Sequence, residues 1–144
     1  MNDELRELYQ QVILDHSRKP RNYGALDQPC CHAHGDNPSC GDEIDVYARL
    51  GGDGRVEAVG FTGQGCAISQ ASASMMTQKV RGQSPSTVRA MMEDFRRIVT
   101  GEGVAENGDA LGELQLLEGV QHFPQRVKCA MLAWRALDAA LEGK

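Results

Sequence analysis

Two stretches of the chain alternate between hydrophobic and polar residues, which is the pattern of half-buried strands. Residues 44–50 read Ile-Asp-Val-Tyr-Ala-Arg-Leu, so every second side chain is hydrophobic, and residues 55–62 alternate in the same way. The Gly-Gly-Asp-Gly segment at 51–54 between them predicts a tight turn. We therefore expect an antiparallel hairpin, preceded by a shorter strand around residues 32–34.

In the rest of the chain hydrophobic residues recur at the three- and four-residue spacing of helices. The predicted helices cover residues 3–17, 67–81, 85–99, about 112–119 and about 124–142. Pro20 lies beyond the end of the first helix, and Ser84 and Pro85 suit the start of the third. The polar stretch 101–112 predicts an exposed excursion. This order predicts an α+β fold, with a small antiparallel three-stranded sheet and helices packed on one side of it.

The composition is that of an ordinary globular protein with few aromatic residues. The 144 residues are 41% hydrophobic, 24% charged and only 5% aromatic, so the core must consist mainly of Leu, Val, Ile, Met and Ala. This length predicts one domain that spans residues 1–144. The spacing of the five cysteines does not indicate a disulfide framework. It favours reduced thiols or metal ligation.

Charge and hydropathy weigh against several classes of partner. The net charge is −5 and no basic stripe with interleaved aromatics is present, so we expect no nucleic-acid partner. No apolar run approaches the ~20 residues of a membrane span, and the first residues are polar rather than a signal segment. We therefore expect a cytoplasmic protein without a membrane partner.

The first candidate for chemistry is Cys40-Gly41-Asp42, in a segment from Asp36 to Asp42 that has the composition of a loop. The thiol and the carboxylate are two residues apart, and Gly41 allows the backbone to turn so that both reach one ion. The alternative is a turn rich in Asp and Asn that contains a buried cysteine.

The second candidate is Cys66 in Gly63-Gln64-Gly65-Cys66, where the second hairpin strand meets a helix. A thiol at a helix N-terminus faces unpaired amides and the positive end of the helix dipole, which favours a thiolate. The alternative is a small residue that allows the strand and the helix to pack closely.

The third candidate is Cys129 in the first turns of the last helix. Arg126 is three residues earlier and shares its face. Three thiolates and one carboxylate give the four donors of a tetrahedral zinc site, with a formal charge of −2 that a guanidinium would partly offset. Arg126 could also hold an anionic sulfur species, although a solvent-exposed helix residue is the alternative for it and for Lys128.

Taken together, these motifs resemble those of the U-type iron–sulfur cluster assembly proteins, the family of the NifU N-terminal domain, IscU and SufU. The resemblance also includes Leu14-Asp15-His16 through Gly24, Gly35 through Asp42, Cys66-Ala67-Ile68-Ser69 and Lys128-Cys129-Ala130. It is greatest to the SufU branch. The IscU branch has a histidine before its last cysteine and a Leu-Pro-Pro-Val-Lys motif, where this chain has Lys128 and Phe123-Pro124-Gln125-Arg126-Val127-Lys128.

The resemblance implies a SufE/NifU-like fold and a Zn²⁺ site formed by Cys40, Asp42, Cys66 and Cys129. It implies a zinc-dependent sulfurtransferase that accepts persulfide sulfur from a SufS-type cysteine desulfurase, with downstream Suf scaffold proteins as further partners. Cys40, on its Gly- and Pro-containing loop, is the expected acceptor, with Arg126 as the second catalytic candidate. The main alternative is a scaffold that assembles and transfers a [2Fe–2S] cluster, and a third is a purely structural zinc domain.

Other residues that attract attention are assigned no role in this site. The vicinal pair Cys30-Cys31 lies outside the motifs, and His32 and His34 are expected to pack on a strand face or to be exposed. His16 lies at the end of the first helix, where a cation is favoured. The four helical methionines Met75, Met76, Met91 and Met92 are expected to fill the core between helices.

Overall fold

The computed structural model describes residues 3–27, 31–38, 41–103 and 108–142. Its elements follow one another as α1 (Asp3–Arg18), β1 (Cys31–Asn37), β2 (Asp42–Leu50), β3 (Val56–Gln64), α2 (Ala67–Val80), α3 (Pro85–Thr100), α4 (Gly108–Leu111), a 3₁₀ segment (Gly112–His122) and α5 (Pro124–Glu142). Each predicted strand and helix is present, with bounds that differ by a few residues.

The three strands form one antiparallel sheet in the order β1-β2-β3. Ile44, Val46 and Ala48 of β2 are buried on one face, where α5 packs across β1 and β2, while the intervening Asp45 and Tyr47 are only half-buried. The predicted α+β fold, with helices on one side of a small antiparallel sheet, is therefore confirmed. Its physical basis is the two-residue alternation, which leaves only one apolar face for helices to cover.

The hairpin that leads into the predicted site is longer than the sequence indicated. Asp36 and Asn37 were expected in a loop, but both belong to β1, and Asn37 pairs with Asp42 across the sheet. That expectation was wrong because Asp and Asn are typical of turns, whereas here the register of the ladder continues through them. The connection shrinks to residues 38–41, and Cys40 lies outside the described residues.

The stretch 101–112 is not wholly an exposed excursion, so that prediction was wrong in part. Residues 101–103 are exposed, but α4 follows and its Leu111 is fully buried. The 3₁₀ segment then buries Leu114, Leu117 and Val120 and packs against α3. Three hydrophobic side chains at three-residue intervals suit this tighter helix, which brings positions i and i+3 onto one line.

The core is built from aliphatic residues around a few large rings. Trp134 of α5 and Phe95 of α3 are fully buried, with ring centroids 5.6 Å apart. Met75, Met76 and Met91 are buried as expected. Ser84 caps α3 by accepting from the Thr87 amide, with Pro85 as the first helical residue. None of the described helices is both long enough and apolar enough to cross a lipid bilayer.

A buried histidine joins three elements. His16 of α1 is 3% exposed, its Nδ1 lies 2.7 Å from Ser74 Oγ on α2, and its Nε2 lies 3.1 Å from Glu113 Oε2 at the 3₁₀ segment. A carboxylate only accepts hydrogen bonds, so Nε2 carries a proton, and in the neutral ring Nδ1 accepts from Ser74. The role of His16 is to cross-link α1 to the rest of the fold, and its position at the helix end explains little of this role.

A short segment runs beside β3 and covers its outer edge. The Gly24 amide donates to the Phe61 carbonyl at 2.7 Å, and the Phe61 amide donates to the Asn22 carbonyl at 3.2 Å. A Cβ at Gly60 would overlap the carbonyl oxygen of Gly24, so a glycine is needed at that point of β3. Residues 22–24, which follow α1, are therefore held along the sheet by backbone hydrogen bonds.

Candidate metal centre

Three of the four predicted ligands meet at one end of the sheet. Asp42 begins β2, Cys66 precedes α2 and Cys129 lies in the second turn of α5. One carboxylate oxygen and the two sulfur atoms all lie within 4.8 Å of one another. The residues are remote in sequence, and the fold brings them together because α2 and α5 pack side by side on the sheet. Cys40, two residues before Asp42, is outside the described residues.

Asp42 is fully buried and held by one of its two oxygens. Its Oδ1 accepts a hydrogen bond from the Cys66 amide at 2.8 Å, while its Oδ2 lies 3.9 Å from Cys66 Sγ. A buried carboxylate needs such partners, since the loss of water around a charge is costly. The hydrogen bond from the amide fixes the orientation of the carboxylate and directs Oδ2 toward the Cys66 sulfur.

Cys66 takes the N-cap position of α2. Its backbone is extended, with φ −69° and ψ 167°, and its Sγ accepts a hydrogen bond from the Ser69 amide at 3.5 Å. The first amides of a helix have no partner within the helix, and they favour an anionic group at this end. The side chain is half-buried, so it is enclosed on the protein side and still within reach of solvent.

Cys129 is as enclosed as Asp42. It is fully buried, and its Sγ lies 3.6 Å from Asn37 Nδ2 and 3.6 Å from the Gln125 carbonyl oxygen. The amide of Asn37 donates to the sulfur, whereas the carbonyl of Gln125 accepts from it only while the thiol carries its proton. Cys129 is therefore bonded to β1 as well as to its own helix.

Arg126 and Lys128 are exposed at the start of α5. Arg126 belongs to a surface pocket formed by residues 122–126, beside the exposed ring of Phe123. A guanidinium one helical turn before Cys129 gives this side of the site positive charge. The catalytic role predicted for Arg126 is untested by this geometry and stays a prediction.

The donor set suits a soft-to-borderline divalent ion. In a tetrahedral zinc site with Zn–S bonds of about 2.3 Å, the sulfur atoms are about 3.8 Å apart, which small side-chain rotations of Cys66 and Cys129 would reach. Thiolate sulfur favours zinc or iron over magnesium or calcium. Asp42, Cys66 and Cys129 supply three donors, and a tetrahedral ion takes a fourth.

Two features of the site were missed by the sequence analysis. Asn37 was placed in a loop, whereas in the structure positions 31, 33, 35 and 37 of β1 alternate toward the core and Asn37 is buried; no local signal in the sequence marked this. The close approach of Gly65 to Asp42 has no sequence signal beyond the glycine itself: a Cβ there would overlap Oδ1 and lie 2.9 Å from Cγ.

Comparison with known families identifies the chain. Residues 8–130 match the model of the NifU-like N-terminal domain. The chain belongs to the NifU-like N-terminal domain family. This match confirms the resemblance drawn from the motifs, and the similarity to a SufU protein confirms that it extends to the SufU branch.

The chain is similar to a relative that is named as a sulfurtransferase and to relatives that are named as cluster assembly scaffolds. The zinc-dependent sulfurtransferase SufU of Bacillus subtilis is 44% identical over 137 residues, which cover 95% of this chain and 91% of that protein. The iron–sulfur cluster assembly scaffold protein IscU of Streptococcus pyogenes is 41% identical, with 96% of this chain and 86% of that protein covered.

Solved structures show the same fold. A putative iron–sulfur cluster assembly scaffold protein for the SUF system from Fervidobacterium islandicum superposes with a TM-score of 0.85 at 33% identity, covering 94% of this chain and 98% of that one. A NifU-like N-terminal protein from Brucella abortus superposes with a TM-score of 0.85 at 25% identity, covering 96% and 94%. This NifU-like chain therefore carries a candidate metal centre formed by an aspartate and two cysteines.

Proposed function

We propose that this protein is a zinc-dependent sulfurtransferase of iron–sulfur cluster assembly, which accepts persulfide sulfur from a SufS-type cysteine desulfurase. The observation that carries the proposal is the convergence of the Asp42 carboxylate with the Cys66 and Cys129 sulfurs, all within 4.8 Å. The similarity to a relative named as a zinc-dependent sulfurtransferase, 44% identical, supports the choice of zinc.

The proposed metal ligands are Cys40, Asp42, Cys66 and Cys129. Zn²⁺ bound there would keep the thiols deprotonated and guard them from oxidation. Cys40 is the proposed acceptor because only four residues, 38–41, connect β1 to β2, and neither helix contains it. Cys66 and Cys129 are attached to α2 and α5, so they are better suited to remain as anchors.

The transfer itself needs only two sulfur centres. The Cys40 thiolate attacks the terminal sulfur of the desulfurase persulfide, so a new S–S bond forms at Cys40 while the original S–S bond breaks. The electron pair of the broken bond leaves with the desulfurase cysteine as a thiolate, and the terminal sulfur is carried to Cys40 with its proton. The persulfide formed on Cys40 becomes anionic when that proton dissociates. Oxidation states are conserved overall, so no external oxidant is required.

Arg126 is the proposed catalytic partner of Cys40. Its guanidinium is exposed at the start of α5, three residues before Cys129. A cation at this place offsets part of the −2 charge of a zinc ion with four anionic ligands, and it attracts an anionic persulfide. Downstream Suf scaffold proteins are the proposed recipients of the sulfur. We place the reaction in the cytoplasm, because such a site works with reduced thiols.

A scaffold that assembles and transfers a [2Fe–2S] cluster is the second candidate. It is favoured by the similarity to proteins named as IscU scaffolds, one of them 41% identical. Lys128 weighs against it, since the residue before the last cysteine is then a cation rather than a metal-binding imidazole. The same cysteines would serve either purpose, so the metal content decides between the two.

The test combines metal analysis with a transfer assay. Colourless protein with one zinc ion per chain is expected on purification, whereas brown protein with visible absorption would favour the scaffold. With a SufS-type desulfurase and cysteine, the wild type should stimulate sulfide release in the presence of a reductant, and Cys40→Ala should not. Cys31→Ala is the matched control, because Cys31 is a buried cysteine of β1 that lies outside the proposed ligand set. Full stimulation by Cys40→Ala would refute the acceptor assignment.

A further inference from the structure

The two residues that flank the 38–41 connection are each hydrogen-bonded to a different cysteine of the site. Asn37 ends β1 and Asp42 begins β2, and they pair directly across the sheet. Asn37 donates to the Cys129 sulfur, and Asp42 accepts from the Cys66 amide. The connection that contains Cys40 therefore starts and finishes at fixed points within the site.

The hydrogen bond from Asn37 to the Cys129 sulfur is the less expected of the two. Asn37 is 6% exposed, and its Nδ2 lies 3.6 Å from Cys129 Sγ, across 92 positions of sequence. The side-chain nitrogen of asparagine is a donor only, so the sulfur accepts. A donor of this kind stabilises the anionic form of the sulfur and fixes its orientation for a metal, and it lowers the reactivity of the thiolate toward electrophiles.

Two other hydrogen bonds at the site differ from it in kind. The Gln125 carbonyl, 3.6 Å from Cys129 Sγ, cannot donate to a deprotonated sulfur. Cys66 receives a backbone donor, the Ser69 amide, which comes with the helix whatever the side chains are. Cys129 lies inside α5, where backbone amides bond to the preceding turn, and the donor from Asn37 comes from a different element, β1.

We propose that Asn37 is a positioning residue, which holds Cys129 as a fixed, weakly nucleophilic ligand and so leaves Cys40 as the exchangeable sulfur. The inference rests on the proposed zinc-dependent function, and it assigns different roles to the cysteines of the site. Asp42, at the other end of the 38–41 connection, would hold the metal as a second fixed ligand, since its Oδ1 accepts from the Cys66 amide and this bond keeps the carboxylate in place.

The test uses Asn37→Leu, which keeps the approximate volume of the side chain and removes the donor, together with Asn37→Ala. Ser72→Ala is the matched control, because Ser72 is fully buried and its hydroxyl donates to the Ala130 carbonyl of α5 at 2.6 Å, next to Cys129. Zinc affinity is measured by competition with a chromophoric chelator. The Asn37 variants should bind about tenfold more weakly, and the control within about twofold of wild type.

Two spectroscopic and chemical readouts separate positioning from packing. In Co²⁺-substituted protein the sulfur-to-cobalt charge-transfer band should move to longer wavelength in both Asn37 variants, because a thiolate without its donor gives up charge more easily. In zinc-loaded protein, alkylation mapped by mass spectrometry should become about tenfold faster at Cys129, while Ser72→Ala keeps the wild-type band and rates. An unchanged band in Asn37→Leu, or an equal shift in Ser72→Ala, would overturn the proposal.

A third measurement needs neither a folded Asn37 variant nor a bound metal. In ¹⁵N spectra of the wild type, a side-chain amide proton of Asn37 should resonate downfield and lose that shift in Cys129→Ala. An Asn37 amide that does not respond to Cys129→Ala contradicts the proposal. Failure of the proposed function looks different: the wild type would bind no zinc or accept no sulfur, whereas failure of this inference leaves the wild type active and the Asn37 variants unaltered.

Discussion

Gly65 lies directly against the carboxylate of Asp42, so closely that a Cβ at position 65 would overlap Oδ1 and lie 2.9 Å from Cγ. The Cys66 amide, the next along the chain, donates to that same oxygen at 2.8 Å. The absence of a side chain at 65 is thus what permits the carboxylate to approach the N-terminus of α2 and face the two sulfurs. The geometry of the candidate metal centre depends on this glycine as much as on Asp42, Cys66 and Cys129.

Gly65→Ala is expected to displace the Asp42 carboxylate and weaken zinc binding by roughly 10–100-fold, in the range found when groups that orient metal ligands are altered. Chelator competition measures the loss. Gly52→Ala is the control, since a Cβ there meets nothing within 4 Å. Equal affinities for the wild type and Gly65→Ala would show that Asp42 is not held in the way described.

Removal of the metal is expected to destabilise the wild type. A ligand present at a thousandfold excess over its dissociation constant contributes about 4 kcal/mol to the free energy of unfolding. For a chain of this size that corresponds to a fall of roughly 10 °C in Tm on chelation, measured by calorimetry. Cys66→Ala loses a proposed ligand, so its Tm should respond much less to the chelator; an equal response in both proteins contradicts this assignment.

Arg126→Ala is expected to reduce sulfur transfer while the zinc content stays at the wild-type level, because the guanidinium acts on charge near the site and is not a proposed ligand. A rate loss of roughly tenfold or more is expected if it holds an anionic persulfide, with partial recovery in Arg126→Lys. Lys128→Ala tests whether any cation at this end of α5 suffices. Equal rates for Arg126→Ala and wild type would remove Arg126 from the catalytic set.

His16→Ala is expected to lower the free energy of unfolding by about 2–4 kcal/mol, since it removes a buried ring and both of its hydrogen bonds. The bonds to Ser74 and Glu113 join α1 to α2 and to the 3₁₀ segment. Urea denaturation measures the change, and His122→Ala, at an exposed position, should cost less than about 0.5 kcal/mol. Comparable losses in the two variants would argue against the cross-link.

Asp45 supplies a prediction on pH. Hydrogen bonds from His32, and then from His34, hold the pKa of its carboxyl below the ordinary value, against the opposing effect of burial. A lowered pKa in the folded state gives stability that is present above the unfolded-state value and is lost as the pH falls through the folded-state value. Asp45→Asn should therefore be less stable than wild type near pH 6, by under about 1 kcal/mol for so exposed a group.

The difference between Asp45→Asn and wild type should vanish in acid, once the carboxyl is protonated in both the folded and the unfolded protein. Urea denaturation at several pH values follows it. Glu43→Gln, on the same exposed face of β2, is the control and should track the wild type throughout. A gap that persists at low pH would mean that the substitution acts through packing and not through charge.

The elements of this fold were predictable wherever a single local pattern dominated. The alternation in β2 and the cap formed by Ser84 are properties of neighbouring residues, so both were found from the sequence. The inward orientation of Asn37 and the burial of Leu111 depend on what lies opposite them in the fold. Local composition, rich in Asp, Asn and Gly around both positions, pointed to loops, and tertiary packing decided otherwise.

In the candidate site, too, some residues could be predicted from local patterns and others could not. Each of Cys66 and Cys129 was identified from its place at a helix start, and the fold brings both to Asp42. The supporting groups, Gly65 and Asn37, were not identified, because their effect arises from contacts with residues far away in sequence. His16 is similar: its helix-end position was visible, whereas its partners Ser74 and Glu113 lie 58 and 97 residues away.

The segment 22–24 along β3 has a consequence for association between molecules. The exposed edge of a sheet is a template on which strands from other chains can add and begin aggregation. Here the peptide groups of Phe61 already bond to Asn22 and Gly24, and the bare backbone of Gly60 leaves room for that contact. At this part of the sheet residues 22–24 already bond to the edge of β3, and a strand from another chain would first have to displace them.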